Sequence, residues 1–175
     1  GFGKIGKAIA KKAKAFDMKV IATRRLQKKV ESTRIADELI PTSKLDYLLT
    51  KSDYVVISCP LTPLTKGMIG KEKLNKMKET AFIIHIARGG IINELELVDV
   101  LSKNQIAGAA LDVFEKEPLN NKSPLFDLEN VFLAPHISGN FPEYQVDVMN
   151  QFVQNLNKFL SGKNLINRVC KKRQY

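Results

Sequence analysis

Apolar runs of strand length alternate with amphipathic stretches of helical spacing along nearly the whole chain, and this alternation restricts the fold more than any other feature. Residues 6–16 carry Ala8, Ile9, Ala13 and Phe16 at helical intervals, with lysines on the other side. Strands are expected at Lys19-Val20-Ile21-Ala22, Tyr54-Val55-Val56-Ile57, 81–86, 106–111 and Val131-Phe132-Leu133. Helices are expected at 45–49, 71–77, 94–101 and 142–160, the last with Phe152, Leu156 and Leu160 recurring along one side. Strands this apolar, separated by helices, predict an α/β domain in which a parallel sheet is covered by helices on both faces. No internal repeat and no low-complexity linker interrupts the pattern.

A length of 175 residues suffices for one well-cored domain. The strongest apolar run, Ala81-Phe82-Ile83-Ile84-His85-Ile86-Ala87, has the length of a strand, well short of the ~20 residues that cross a bilayer. The opening residues lack the basic stretch and apolar run of a signal peptide. Cys59 and Cys170 lie far apart and have no metal-ligand spacing, so two free thiols in a reducing, cytoplasmic setting are expected, with no membrane partner.

The formal charge of +10 raises nucleic acid as a partner. The lysines are dispersed, however, and Lys7, Lys11, Lys12 and Lys14 read as the solvated face of a helix. The one dense basic cluster is Lys171-Lys172-Arg173, and no aromatic residues interleave with basic ones as a single-strand platform requires. A positive field serves equally well to draw in small anions, and no nucleic-acid partner is expected.

The chain opens Gly1-Phe2-Gly3-Lys4-Ile5-Gly6, a G-x-G-x-x-G pattern that runs directly into the first amphipathic helix. Gly1 permits a tight strand-to-helix turn, Gly3 lets a pyrophosphate approach the backbone, and Gly6 lets the helix pack closely on the sheet. The backbone N–H groups of Lys4 and Ile5 would face the phosphates at the positive end of the helix dipole. This context predicts a Rossmann-type, doubly wound sheet. The strand that should precede Gly1 is absent from the sequence, so the expectation is a chain shortened at its amino-terminal side. About twenty residues on, where an NAD site places an acid against the ribose hydroxyls, the sequence reads Thr23-Arg24-Arg25. A guanidinium holds a 2′-phosphate that a carboxylate would repel. Arg24 and Arg25, with Thr23 as a further hydrogen-bonding group, therefore favour NADP(H), with NAD(H) as the alternative.

Four downstream segments follow in order: Cys59-Pro60-Leu61-Thr62-Pro63-Leu64-Thr65, Ala87-Arg88-Gly89-Gly90, Leu111-Asp112-Val113-Phe114-Glu115-Lys116-Glu117-Pro118-Leu119 and Ala134-Pro135-His136-Ile137-Ser138-Gly139. Together with the glycine-rich turn they resemble the D-isomer-specific 2-hydroxyacid dehydrogenases, which include glyoxylate/hydroxypyruvate reductases. The resemblance runs to the tail Asn164-Leu165-Ile166-Asn167-Arg168 and covers only the carboxyl-terminal part of a family protein. It implies an NAD(P)-binding domain over 1–140, then a helix and tail over 141–175 that return to a substrate domain whose larger part is missing.

By the same resemblance, Arg88 grips the carboxylate and carbonyl oxygen of a small 2-keto acid, and His136 donates the proton as hydride passes between the nicotinamide and the carbonyl carbon. Glu117 orients that histidine and favours its imidazolium form. Asp112 lies near the nicotinamide carboxamide, Ile86 and Ala87 line that side of the cleft, and Pro60 and Thr65 belong to a loop over the cofactor. No metal is implied, since arginine and imidazolium together meet the charge developing on oxygen. His85 stands where the family commonly has Asn, and it reads as a packing or hydrogen-bonding residue at a strand end. The resemblance implies a homodimer when intact and an inactive fragment otherwise. A corepressor that senses the cofactor through the same fold is the rival reading. The acid-free Thr23-Arg24-Arg25 segment counts against it, because those corepressors resemble NAD(H) binders.

Overall fold

In the computed structural model, residues 1–171 are described, and the chain divides into two compact units, one ending at His136 and the other beginning at Ile137. The first unit opens with helix α1 (Lys4–Ala15) and strand β1 (Ile21–Thr23), followed by β2 (Glu31–Thr33) and β3 (Ala36–Ile40). Helix α2 (Leu45–Lys51), β4 (Tyr54–Ile57), α3 (Lys71–Leu74), β5 (Phe82–His85), α4 (Glu94–Ser102), β6 (Gly108–Leu111) and β7 (Val131–Leu133) complete it.

Four strands form a parallel sheet in the order β4-β5-β6-β7. Its register aligns Ile57 with His85 and His85 with Leu111, so these strands end together. Side chains alternate between faces along each strand. Val55, Ile57, Ile83, Ala109 and Leu111 turn to the buried face, where they pack with Leu49, Leu74, Leu97, Val100 and Leu101. Burial of five such large aliphatic side chains from helices α2, α3 and α4, each contributing roughly 1.5–3 kcal/mol, fixes the helices on this face. The other face carries exposed aromatics: Tyr54 and Phe82 stack with ring centroids 6.1 Å apart, and Phe132 is also exposed.

Three further strands form a second sheet, β1-β3-β2, in which β1 runs parallel to β3 and β2 antiparallel to it. Its core is small, made by Phe2, Ala10, Ala36 and Leu39 with Val20, Ala22 and Ile35 against them. The Rossmann-type sheet, expected from the sequence without its first strand, is present among the described residues as two sheets, with β1 and β4 each paired on one side only. β2 and β3 were not among the expected strands. Glu31, Ser32 and Thr33 are all exposed and polar, and Asp37 and Glu38 interrupt the apolar run of β3, so neither segment shows strand periodicity.

The second unit contains α5 (Tyr144–Leu160), whose amphipathic pattern matches the expected helix, although none of its side chains is buried. The segment after it folds back along the helix. Ile166 N–H donates to Asn155 Oδ1 at 2.8 Å, and Asn167 Nδ2 donates to Gln151 Oε1 at 2.6 Å. Of the basic cluster at the terminus, Lys172 and Arg173 lie outside the described residues. No helix among the described residues is long and apolar enough to cross a membrane.

Candidate active site

Parallel strands aim their carboxyl ends in one direction, and in open α/β sheets ligands bind there. The candidate residues follow that geometry. Ile86, Ala87 and Arg88 follow β5, Asp112 and Glu117 follow β6, and His136 follows β7. Pro60 and Thr65 follow β4, in a loop closed on itself by Thr65 Oγ1 donating to the Pro60 carbonyl at 2.7 Å. Thr23 ends β1, with Arg24 and Arg25 exposed just beyond it.

The glycine-rich turn is set by close backbone contacts. A Cβ on Gly1 would come within 2.6 Å of the Cys59 nitrogen, and one on Gly6 within 2.0 Å of the Gly1 carbonyl oxygen. Ser58 Oγ donates to that same carbonyl at 2.8 Å, which fixes the turn to the end of β4. Around Gly3, by contrast, nothing lies within 4 Å of where a Cβ would sit. Gly3 is also the N-cap of α1, so no side chain caps the first turn, and that turn holds no acidic residue. The open space and the uncapped, acid-free helix start suit the close approach of a phosphate.

His136 Nδ1 and Glu117 Oε2 lie 2.6 Å apart, and the two side chains remain partly accessible. Glu117 Oε1 accepts a second hydrogen bond, from the Phe114 N–H at 3.0 Å. The His136 hydrogen bond, then the Phe114 N–H, then the charges of His136 and Arg88 hold the Glu117 carboxyl below its ordinary range, so it stays ionised in mild acid. With Nδ1 occupied, Nε2 is the ring nitrogen left to meet a ligand. His136 has a φ of 55°, in the sparsely populated left-handed region, and residues held there often sit at functional positions.

Arg88 is exposed, and its Nη1 donates to the Ala87 carbonyl at 2.7 Å. The loop that carries it is pressed onto the Glu117 loop. A Cβ on Gly89 would stand 1.7 Å from the Phe114 carbonyl oxygen, and Gly90 has a φ of 79°. Reciprocal bonds secure the same junction: Glu94 N–H donates to Glu115 Oε1 and Glu115 N–H to Glu94 Oε2, both at 3.0 Å. Asp112 is buried, and its N–H donates to the His85 carbonyl at 3.0 Å. His85 is buried, and neither ring nitrogen meets a partner at full hydrogen-bond geometry, so packing dominates its surroundings. Burial pushes its pKa down to about 4, which makes it neutral, and the Arg88 backbone opposes that shift by less.

Residues 1–138 match the D-isomer specific 2-hydroxyacid dehydrogenase family in its NAD binding domain. The chain belongs to this family. Among curated relatives, the glyoxylate reductase of Thermococcus onnurineus is 42% identical over 171 residues, which cover 96% of this chain and 50% of the relative. The hydroxypyruvate reductase of Blautia hydrogenotrophica is 37% identical over 170 residues, 96% of this chain and 52% of the relative. The chain therefore spans about half the length of the curated relatives it matches. Among solved structures, the family dehydrogenase of Xanthobacter autotrophicus in complex with NADPH and MES superposes with a TM-score of 0.91 at 31% identity, covering 100% of this chain and 70% of that one. The NADPH-dependent glyoxylate/hydroxypyruvate reductase of Sinorhizobium meliloti in complex with NADP and sulfate gives a TM-score of 0.86 at 29% identity, covering 100% and 55%.

Several contacts of this dehydrogenase-family site carried no signal in the sequence. Ser58 and Glu94 lie outside the quoted segments, and the hydrogen bonds that Phe114 and Glu115 make through their backbone N–H groups are not reported by the motif that contains them. Gln27 is buried under the turn that follows β1, in a segment with neither periodicity nor pattern.

Proposed function

We propose that the protein carrying this chain reduces a short 2-keto acid, glyoxylate or hydroxypyruvate among the candidates, to the D-2-hydroxy acid with NADP(H). The single observation that carries the reading is the 2.6 Å His136–Glu117 pair within electrostatic reach of Arg88, at the carboxyl ends of strands in the sheet whose β4 end meets the glycine-rich turn. The names of the relatives point to the same substrates and the same phosphorylated cofactor.

Gly1, Gly3 and Gly6, with the N–H groups of Lys4 and Ile5, would hold the pyrophosphate. Thr23, Arg24 and Arg25 would hold the 2′-phosphate, while Pro60, Thr65, Ile86, Ala87 and Asp112 would flank the rest of the dinucleotide. When bound, the nicotinamide supplies the hydride that reaches the carbonyl carbon. Arg88 offers a planar fork of donors to the substrate carboxylate and carbonyl oxygen, a match that a lysine ammonium cannot make. His136 gives its Nε2 proton to the carbonyl oxygen as negative charge develops there, and Glu117 holds the ring by Nδ1 and stabilises its positive form. Oxidation of the hydroxy acid uses the same groups in reverse.

The test follows absorbance at 340 nm in the full-length protein with glyoxylate or hydroxypyruvate, supplying NADPH and NADH separately. Faster loss of NADPH is expected, and Arg88→Ala should lower kcat/KM about a hundredfold, as the loss of charge-assisted hydrogen bonds implies. An unchanged kcat/KM in that variant would remove Arg88 from its role. Tight cofactor binding without turnover of any small keto acid would favour the corepressor reading.

A further inference from the structure

Gln27 is 7% exposed, and its side-chain amide is used at both ends. Nε2 donates to the Lys29 carbonyl at 2.8 Å, and Oε1 accepts from Nη2 of Arg24 at 3.3 Å. The backbone adds two more links: Gln27 N–H donates to the Arg24 carbonyl at 3.0 Å, and Arg24 N–H to the Ile40 carbonyl of β3 at 3.4 Å. An exposed arginine normally samples many rotamers, and fixing such a side chain at a binding site costs about 0.5–1.5 kcal/mol. Here a buried acceptor already holds one of its five N–H donors and leaves the others free of this contact. Closing the turn requires only the backbone bond, and the Lys29 carbonyl takes one of the two Nε2 N–H donors. Arg24 is the partner of the Oε1 acceptor, so the buried amide and the guanidinium hold one another in place.

We propose that Gln27 is a positioning residue for cofactor choice: it holds the Arg24 guanidinium ready for the 2′-phosphate and so raises affinity for NADPH without affecting NADH. The inference rests on the reading of Arg24 as a 2′-phosphate ligand. NADH lacks that phosphate, so a change confined to the orientation of Arg24 should leave its binding untouched. A merely structural Gln27 would affect both cofactors alike.

The experiment titrates full-length protein with NADPH and NADH by nicotinamide fluorescence, comparing wild type, Gln27→Met, Arg24→Met and the double variant. Methionine keeps the buried volume and removes the acceptor. Gln27→Met should weaken NADPH about three- to tenfold, the range set by the ordering cost of one long side chain, and leave the NADH Kd within about twofold. In the Arg24→Met background the same change should add nothing. Equal weakening of both cofactors, or an unchanged NADPH preference in Gln27→Met when Arg24→Met has lost it, overturns the role of Gln27. An NADPH preference that survives Arg24→Met overturns the reading of Arg24 itself, and the proposal with it. Should Gln27→Met fail to fold, a crystal structure of the unaltered protein with NADPH decides: Arg24 on the 2′-phosphate with Gln27 Oε1 still in contact supports the proposal, and Arg24 swung off Gln27 to reach the phosphate overturns it.

Discussion

His85 is buried at the end of β5, with no well-formed hydrogen bond to either ring nitrogen and a pKa pushed to about 4 by burial. Its folded-state value lies below the ordinary 6.5, so the unfolded chain binds the proton first. Its contribution to stability is therefore complete above about pH 6.5, is lost as pH falls toward 4, and levels off below that. By pH 5 the loss is on the order of 2 kcal/mol. In His85→Leu this part of the acid sensitivity should vanish, which urea midpoints at pH 7 and pH 5 would show. An unchanged difference between the two would mean that His85 titrates normally in the folded protein. His136 and Glu117 invite the opposite kind of test, of turnover. His136→Ala should lower kcat by about 10²–10⁴, the usual contribution of a placed general acid, while Glu117→Gln should fall between that and wild type with little change in KM. Equal kcat in Glu117→Gln and wild type would leave the 2.6 Å contact without a catalytic role.

Two adjacent glycines in the β5–α4 loop are required for different reasons. A Cβ on Gly89 would collide with the Phe114 carbonyl oxygen at 1.7 Å, whereas Gly90 has open space around it and a φ of 79°. Gly90→Ala meets only a conformational cost of about 1 kcal/mol. Gly89→Ala must separate the Arg88 loop from the Glu117 loop, so its midpoint should fall by about 5 °C or more and kcat/KM should fall with it. If thermal melts ranked Gly90→Ala as the more damaging, close approach would not be what this junction requires. The sequence foretold these elements unevenly. Tyr54–Ile57 and Val131–Leu133 coincide with the expected strands because apolar runs bounded by turns mark them clearly. β2 gave no signal because its three residues are polar and exposed, and it exists through pairing with β3. In the site, motifs bring out residues that recur in a pattern, such as Arg88 and His136. Gln27 and Ser58 act through contacts with backbone and neighbours that only the folded turn creates.

At the scale of the molecule, charge is distributed unevenly between pairs and helix faces. Lys71, Lys73, Lys78 and Lys103 are engaged with Asp99, Asp46 and Asp53, so these charges are matched locally. Helix α1 carries Lys4, Lys7, Lys11, Lys12 and Lys14 and no acidic residue of its own, and Asp37 of β3 pairs with Lys14. The glycine-rich turn lies at the start of that helix, so the excess of +10 has a local component where the proposed dinucleotide would enter. A field of this kind speeds the encounter with an anion and fades as the Debye length contracts from about 30 Å at 0.01 M salt to about 8 Å at 0.15 M. NADPH carries one more phosphate than NADH and should feel the field more. Stopped-flow association in the full-length protein should therefore slow several-fold for NADPH over that salt range, less for NADH, with dissociation changing little. Equal salt dependence for both cofactors would place the discrimination in the bound contacts at Arg24 and Arg25. No salt dependence for either would mean that the lysines of α1 serve the solubility of the helix and contribute nothing to capture.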